Sequence, residues 1–217
     1  MRLVAMAMLL LAGCGAAAMP DGAAAGPDRP ALARMAAAFP PELAGFRRVG
    51  EITDYESRPG GAGLGASASY RPADGAGAAA TIYLYDRGRR RQVDGGHSPD
   101  IAEELRMTRA EIDALVRAGR YRAVTPEAGM RVAGTPDAGG MRCLNFRVVQ
   151  ANGSPTGDSV CVSVQGGVFV KVRVTASSTP EPAVAGLFAS GLLSAMLQTR
   201  SGGPNDRPAA PQASPPR

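Results

Sequence analysis

Few side chains in this 217-residue chain are equipped to react: three cysteines, Cys14, Cys143 and Cys161, and one histidine, His97. A metal site built on two histidines is therefore excluded, and no spacing of carboxylates with His97 suggests a mixed one. A Ser-His-Asp arrangement would have to use His97, which sits in the run Gly95-Gly96-His97-Ser98-Pro99 just before a helix start. There it reads as a general base or, more simply, as an exposed or capping loop residue. Cys143 and Cys161 lack the Cys-x-x-Cys spacing of a redox centre. If their segments pair so that the two face each other, Asn145 meets Ser159 and Arg147 meets Gly157 around a turn at Asn152-Gly153. A disulfide in that register would close a loop of under twenty residues and stabilise by about 3 kcal/mol in the chain-entropy picture; two free buried thiols are the alternative. Arg87, Arg89, Arg90 and Arg91 form a basic run able to contact an anionic surface, each residue contributing about 1 kcal/mol beside an anionic leaflet, or simply a solvated loop. Gly60-Gly61-Ala62-Gly63-Leu64-Gly65 lacks the Lys-Ser/Thr of a phosphate loop and reads as flexible turns. Nothing here assigns a catalytic residue or calls for a cofactor.

The elements that must position these residues follow from periodicity. Phe46 to Tyr55 alternates imperfectly and predicts a first strand. Ala66 to Arg71 and Ala78 to Asp86 flank Pro72-Ala73-Asp74-Gly75, a hairpin signal. Within the second arm, Tyr83 and Tyr85 point away from Ile82 and Leu84, either lining an outward surface or lying beneath a helix. Ser98 as N-cap, Pro99 and Asp100 open a helix in which Ile101, Leu105, Thr108, Ile112, Leu115 and Val116 share a face, with Gly119 placed to end it. Arg131 to Thr135 is a short strand candidate. Met141 to Gln150, Asp158 to Gln165 and Val168 to Val174 are clearer strands. Gln165-Gly166-Gly167 reads as a three-residue connection, and pairing Val164 with Val168 would gather every valine of the hairpin on one buried face. Val184, Leu187, Phe188, Leu192, Ala195 and Met196 form the stripe of a second main helix behind the capping run Thr179-Pro180-Glu181. Gly191 and Ala195 would let it approach the sheet.

The front of the chain has its own grammar. Arg2 precedes an apolar run, Leu3 to Leu11, of about half the length a membrane-crossing helix requires. It ends in Leu11-Ala12-Gly13-Cys14, which resembles the lipobox of bacterial lipoprotein signals. The resemblance implies cleavage before Cys14, a diacylglyceryl thioether on its sulfur and an acylated amine; the alternative is an ordinary cleaved signal with an incidental cysteine. No aspartate follows Cys14, which by analogy with lipoprotein sorting favours the outer membrane over the inner. In an oxidising compartment Cys143 and Cys161 then remain as a pair. Residues 1–13 are thus expected to be a signal peptide and 14–38 a lipidated cysteine with a flexible tether, because Ala, Gly, Pro and Asp bury too little to order. Ala31 to Phe39 has the makings of a short helix before Pro40-Pro41. Residues 39–200 would form a single α+β domain and 201–217 a disordered tail.

The order of strand, hairpin, helix, three-stranded meander and helix predicts an antiparallel sheet with two main helices packed on it. The segments Ala80-Thr81-Ile82-Tyr83-Leu84-Tyr85-Asp86, the helix that follows and Gly167-Val168-Phe169-Val170-Lys171-Val172-Arg173-Val174 resemble bacterial envelope proteins of PsbP/Mog1-like fold, which implies an α/β/α sandwich and a non-catalytic accessory or binding role. The net charge of +5 rests on arginine, Lys171 being the only lysine. In an exported protein it points to anionic lipid, cell-wall polymer or an envelope protein complex rather than nucleic acid. Two other readings stand beside this one. One is a binder of a small apolar ligand or lipid between sheet and helix; the other is an envelope hydrolase or transferase using His97 or the tyrosines.

Overall fold

The computed structural model describes residues 32–88, 92, 94, 98–134, 139–177 and 182–201. Cys14, Arg89, Arg90, Arg91, His97 and the capping run at 179–181 lie outside the described residues. The strands are β1 (Glu42–Leu43), β2 (Phe46–Asp54), β3 (Ala66–Pro72), β4 (Ala78–Tyr85), β5 (Tyr121–Val132), β6 (Met141–Gln150), β7 (Pro155–Gln165) and β8 (Val168–Ala176). The helices are α1 (Leu32–Ala37), α2 (Pro99–Arg117) and α3 (Pro182–Ser201). All eight strands form one antiparallel sheet in the order β1-β2-β3-β4-β8-β7-β6-β5. The late hairpin β7–β8 therefore docks on β4, in the middle of the sheet, and α2 carries the chain across from β4 to the far edge.

This architecture corrects the expected α/β/α sandwich. Among the described residues the molecule is mainly β, 45 % strand against 28 % helix, its sheet curled into a half-barrel. The physical reason lies in the uneven cover of the sheet. One face holds the main core, where Leu32 and Ala36 of α1 and Phe188, Ala189, Leu192 and Leu193 of α3 meet Ile82, Leu84, Val170 and Val172. On the other face α2 alone packs, over the β5–β8 half, with Ile101 and Leu105 against Tyr85, Phe169, Val160, Val162 and Val164. A sheet covered so unequally closes its core by curling.

Much of the expected local structure is present. Ser98 caps α2 by accepting from the Asp100 N–H at 3.1 Å, and Gly119 follows the helix at a φ of 68°. Three readings need correction. The packed body includes α1, because Leu32, Ala36 and Phe39 are buried in the main core rather than belonging to a tether. Of the stretch read as a short strand at 131–135, Arg131 and Val132 are the end of β5, a 12-residue edge strand, Ala133 and Gly134 are not in a strand, and Thr135 lies outside the described residues. Pro126 and two register shifts hid β5 from any period-two pattern. Leu187, placed in the buried stripe of α3, is 67 % exposed, whereas Ala185 and Ala189 are buried. Gly191 does allow close approach: a Cβ there would sit 3.5 Å from Leu43.

The β7–β8 register is the most consequential difference. Gln165 pairs with Val168 and Val164 with Phe169, so the connection is the two residues Gly166-Gly167, at φ 63° and 80°. Two consecutive positive φ values are what a tight I′ hairpin turn requires. Relative to the expected pairing of Val164 with Val168 this is a slip of one residue, and in a strand one residue exchanges the faces. Val160, Val162 and Val164 therefore lie under α2 beside Phe169, while Val168, Val170, Val172 and Val174 enter the main core.

The β6–β7 register is the expected one. Cys143 faces Cys161 with Asn145 opposite Ser159 and Arg147 opposite Gly157, and the cysteines form a disulfide with Cα atoms 4.0 Å apart. Both are buried in the main core. Reduction, or the double change Cys143→Ser and Cys161→Ser, is expected to cost about 3 kcal/mol, which for a chain of this size lowers the melting temperature by roughly 6–12 °C. Calorimetry with and without reductant measures it, and an unchanged melting temperature would show the link to be dispensable.

Candidate functional site

The residues that could interact with a ligand converge beneath α2. An open cleft of about 530 Å³ lies between that helix, strands β4, β7 and β8, and the loop at 62–64. From α2 it receives Glu104, Thr108, Glu111, Ile112 and Leu115, spaced three and four apart and so on one helical face. From β4 come Tyr83 and Tyr85, and from β8 Lys171 and Arg173, each pair two residues apart and thus on the same side of its strand. The register of β7 adds Val160 as part of the floor. Tyr85 stacks on Phe169 with ring centroids 5.3 Å apart, which sets the two tyrosines of β4 under the helix and at the cleft wall together.

At the centre is Glu104, only 1 % exposed. Its Oε1 accepts from the Tyr85 hydroxyl at 2.6 Å and from Lys171 Nζ at 3.3 Å; its Oε2 accepts from Arg87 Nε at 2.7 Å and lies 2.6 Å from Arg87 Nη2 in an ion pair. A buried carboxylate persists when its lone pairs are met in this way, and all of Glu104's are. Lys171 also reaches Glu111 at 3.5 Å, at the exposed rim. A second cluster repeats the logic. Asp158, 2 % exposed, accepts from Arg173 through Nε at 2.9 Å and through Nη2, and from Thr175 at 3.2 Å. Arg173 Nη2 donates to the Tyr121 hydroxyl at 2.7 Å, tying β5 to β8 across the sheet. Burial and the Glu104 carboxylate push the Tyr85 hydroxyl far above its ordinary range, so it holds its proton. Burial likewise raises Tyr83 and Tyr70.

Arg87 shows how the chain holds this arrangement. It sits at a φ of 56°, a left-handed conformation disfavoured for a side-chain-bearing residue by about 1–2 kcal/mol, followed by Gly88 at 71°. The ion pair and Nε hydrogen bond to Glu104 and the bond from the Arg87 N–H to the Gly63 carbonyl at 2.9 Å hold it there. Of the glycines of 60–65, read from the sequence as flexible turns, Gly61, Gly63 and Gly65 instead pack backbone against backbone. A Cβ on Gly63 would fall 2.2 Å from the Gly88 nitrogen, and one on Gly65 would fall 1.8 Å from the Leu84 carbonyl oxygen. This close approach carries Leu64, 48 % exposed, to the mouth of the cleft.

Of the residues singled out from the sequence, the structure joins Cys143 to Cys161 and commits Arg87 to Glu104, leaving Arg89, Arg90 and Arg91 outside the described residues with His97 and Cys14. Arg87 is therefore spent on the interior of the fold rather than offered to a surface. Glu104, Asp158, Lys171 and Arg173 were not marked as site residues. The one available signal was a set of charged residues inside otherwise apolar strand and helix faces. Among the described residues no group of three or more His, Cys, Asp or Glu could hold a metal ion. No described helix is long and apolar enough to cross a membrane. No protein-family model matches the chain, and no curated protein is significantly similar to it.

Glu104→Gln leaves Arg87 and Lys171 without their buried counter-charge and is expected to cost about 3–5 kcal/mol in chemical denaturation. Adding Lys171→Met should recover part of that loss, so a double-mutant cycle reads the coupling. The buried tyrosines set an alkaline limit. In the unfolded chain they ionise near pH 10, whereas in the fold their raised pKa values keep them neutral. Stability is then complete below about pH 10 and declines as pH rises above it, with Tyr85→Phe reducing the slope. Denaturant melts across that range, with phenolate absorbance as the parallel readout, measure this.

Proposed function

We propose that this chain is a lipid-anchored envelope protein, facing the periplasm and held by Cys14, whose folded domain is a non-catalytic binding module. The observation that carries the reading is the pairing of Cys143 with Cys161, which leaves Cys14, at the end of Leu11-Ala12-Gly13-Cys14, as the one cysteine of three outside that bond. A disulfide suits an oxidising compartment, and a cysteine closing an apolar N-terminal run suits acylation. The lack of an aspartate after Cys14 favours the outer membrane. The binding role draws on the cleft, whose buried acid groups are tied up: Glu104 is held by Tyr85, Arg87 and Lys171, and Tyr85 keeps its proton. Groups held in that way orient and recognise rather than shuttle protons. Partners consistent with the anchor are an envelope protein complex or cell-wall polymer, reached by Arg89, Arg90 and Arg91. A second reading, a binder of a small apolar ligand or lipid between sheet and helix, is favoured by the cleft itself, whose volume falls in the range of small-molecule sites.

Metabolic labelling with palmitate tests the anchor. Label should enter the protein and map to a mature N-terminus at Cys14, and Cys14→Ala should abolish both label and processing while leaving the domain's melting temperature unchanged. A mature product whose Cys14 sulfur carries no lipid would overturn the reading.

A further inference from the structure

The hydrogen-bond inventory of the cleft is lopsided. Its buried acceptor is filled, Glu104 by Tyr85, Arg87 and Lys171, and Asp158, which pairs with the cleft residue Arg173, is filled by Arg173 and Thr175. The donors are not. Lys171 is an ammonium with three protons and two carboxylate partners. Arg173 makes its bonds through Nε and Nη2, leaving Nη1 on a side chain that lines the cleft. Thr108 is 2 % exposed, lines the same cleft between Glu104 and Glu111, and its Oγ1 has no partner among the described residues. A buried hydroxyl without a partner costs roughly 1–3 kcal/mol, and the usual remedy within a helix, a bond to the carbonyl four residues back, is not made here. The polar side of the cleft is thus built to receive an acceptor. Beside it, Ile112, Leu115, Val160 and Leu64 form an apolar wall that continues to the open mouth.

Resting on the small-ligand reading above, we propose that the cleft binds a single-chain amphiphile with a carboxylate head, the head meeting Lys171, Arg173 and Thr108 and the tail lying along Leu64, Ile112, Leu115 and Val160. The two cations supply charge-assisted bonds to an oxygen head group. Glu111 alone keeps spare acceptor capacity, and it lies at the rim, 57 % exposed, where water screens its repulsion of an anion. A ligand with a cationic head would instead meet the like charges of Lys171 and Arg173 and find only Glu111, at the water-exposed rim, to pair with.

The test is calorimetric titration of octanoate, octanol and octylamine into the full-length chain held in phosphatidylcholine nanodiscs, with empty nanodiscs as the blank. Octanoate is expected to bind and the other two to bind at least about tenfold more weakly, the loss that goes with one charged hydrogen bond. Thr108→Val, nearly isosteric and not an ion-pair member, should weaken octanoate about fivefold, as loss of one neutral hydrogen bond does, without lowering the melting temperature. Leu115→Trp, which fills the apolar end, should abolish binding of all three. Equal binding of octanoate and octanol would overturn the head-group assignment while leaving a cleft that takes apolar ligands. Tighter binding of octylamine would reverse the assignment. Saturable binding of none of them would remove the small-ligand reading as well, independently of the lipid anchor.

Discussion

One peptide unit at the β7–β8 turn decides what each face of this sheet is made of. Because Gly166 and Gly167 close the hairpin in two residues, Lys171 and Arg173 emerge on the same side as Val160, Val162 and Val164, and Val170 and Val172 on the other. Had the turn taken three residues, two cations would have been driven into the main core against α3, where no carboxylate waits for them. The glycines are needed for this, since both sit at positive φ. Everything beneath α2 inherits that choice: the stacking of Tyr85 on Phe169, the ion pair of Arg173 with Asp158, and the position of Lys171 under Glu104.

Glu104 converts this register into a docked helix. A carboxylate at 1 % exposure is tolerable only in the company of its cations, and these come from two separate places, Arg87 after β4 and Lys171 in β8. The helix cannot shift along the sheet without breaking one of them, so the apolar contacts of Ile101 and Leu105 supply attraction and the ion cluster supplies position. Arg87 in turn accepts a left-handed backbone, and the glycine-rich loop closes on it at Gly63. A chain of dependence therefore runs from the helix through one arginine to a surface loop.

Local elements were largely legible. The cap at Ser98, the hairpin around Asp74-Gly75 and the alternation of β4, β6 and β8 are written in short-range patterns, and so was the pairing of Cys143 with Cys161, since one register satisfies both the turn and the cysteines. Three kinds of feature were not. The β5 edge strand breaks its own period with Pro126 and two bulges. The β7–β8 register was misjudged because segregating all valines on one face is correct only if the other face meets water, and both faces are buried here. The cleft escaped notice because Glu104 on α2, Asp158 on β7 and Lys171 and Arg173 on β8 are far apart in the chain and are joined only by the sheet order. Layer architecture fared worst: two main helices in a sandwich were expected, whereas three described helices pack on a curled sheet, and how much of it they cover is a property of the curl.

The long outer strand β5 carries a consequence for behaviour at high local density. It presents a free backbone edge of 12 residues, the kind of rail on which neighbouring molecules zip together. Pro126 brings no N–H to that rail, the bulges after Tyr121 and Glu127 bend it, and Arg122, Glu127 and Arg131 spread charge along it. A neighbouring strand approaching this edge would thus meet a crooked, charged border, which disfavours pairing along it.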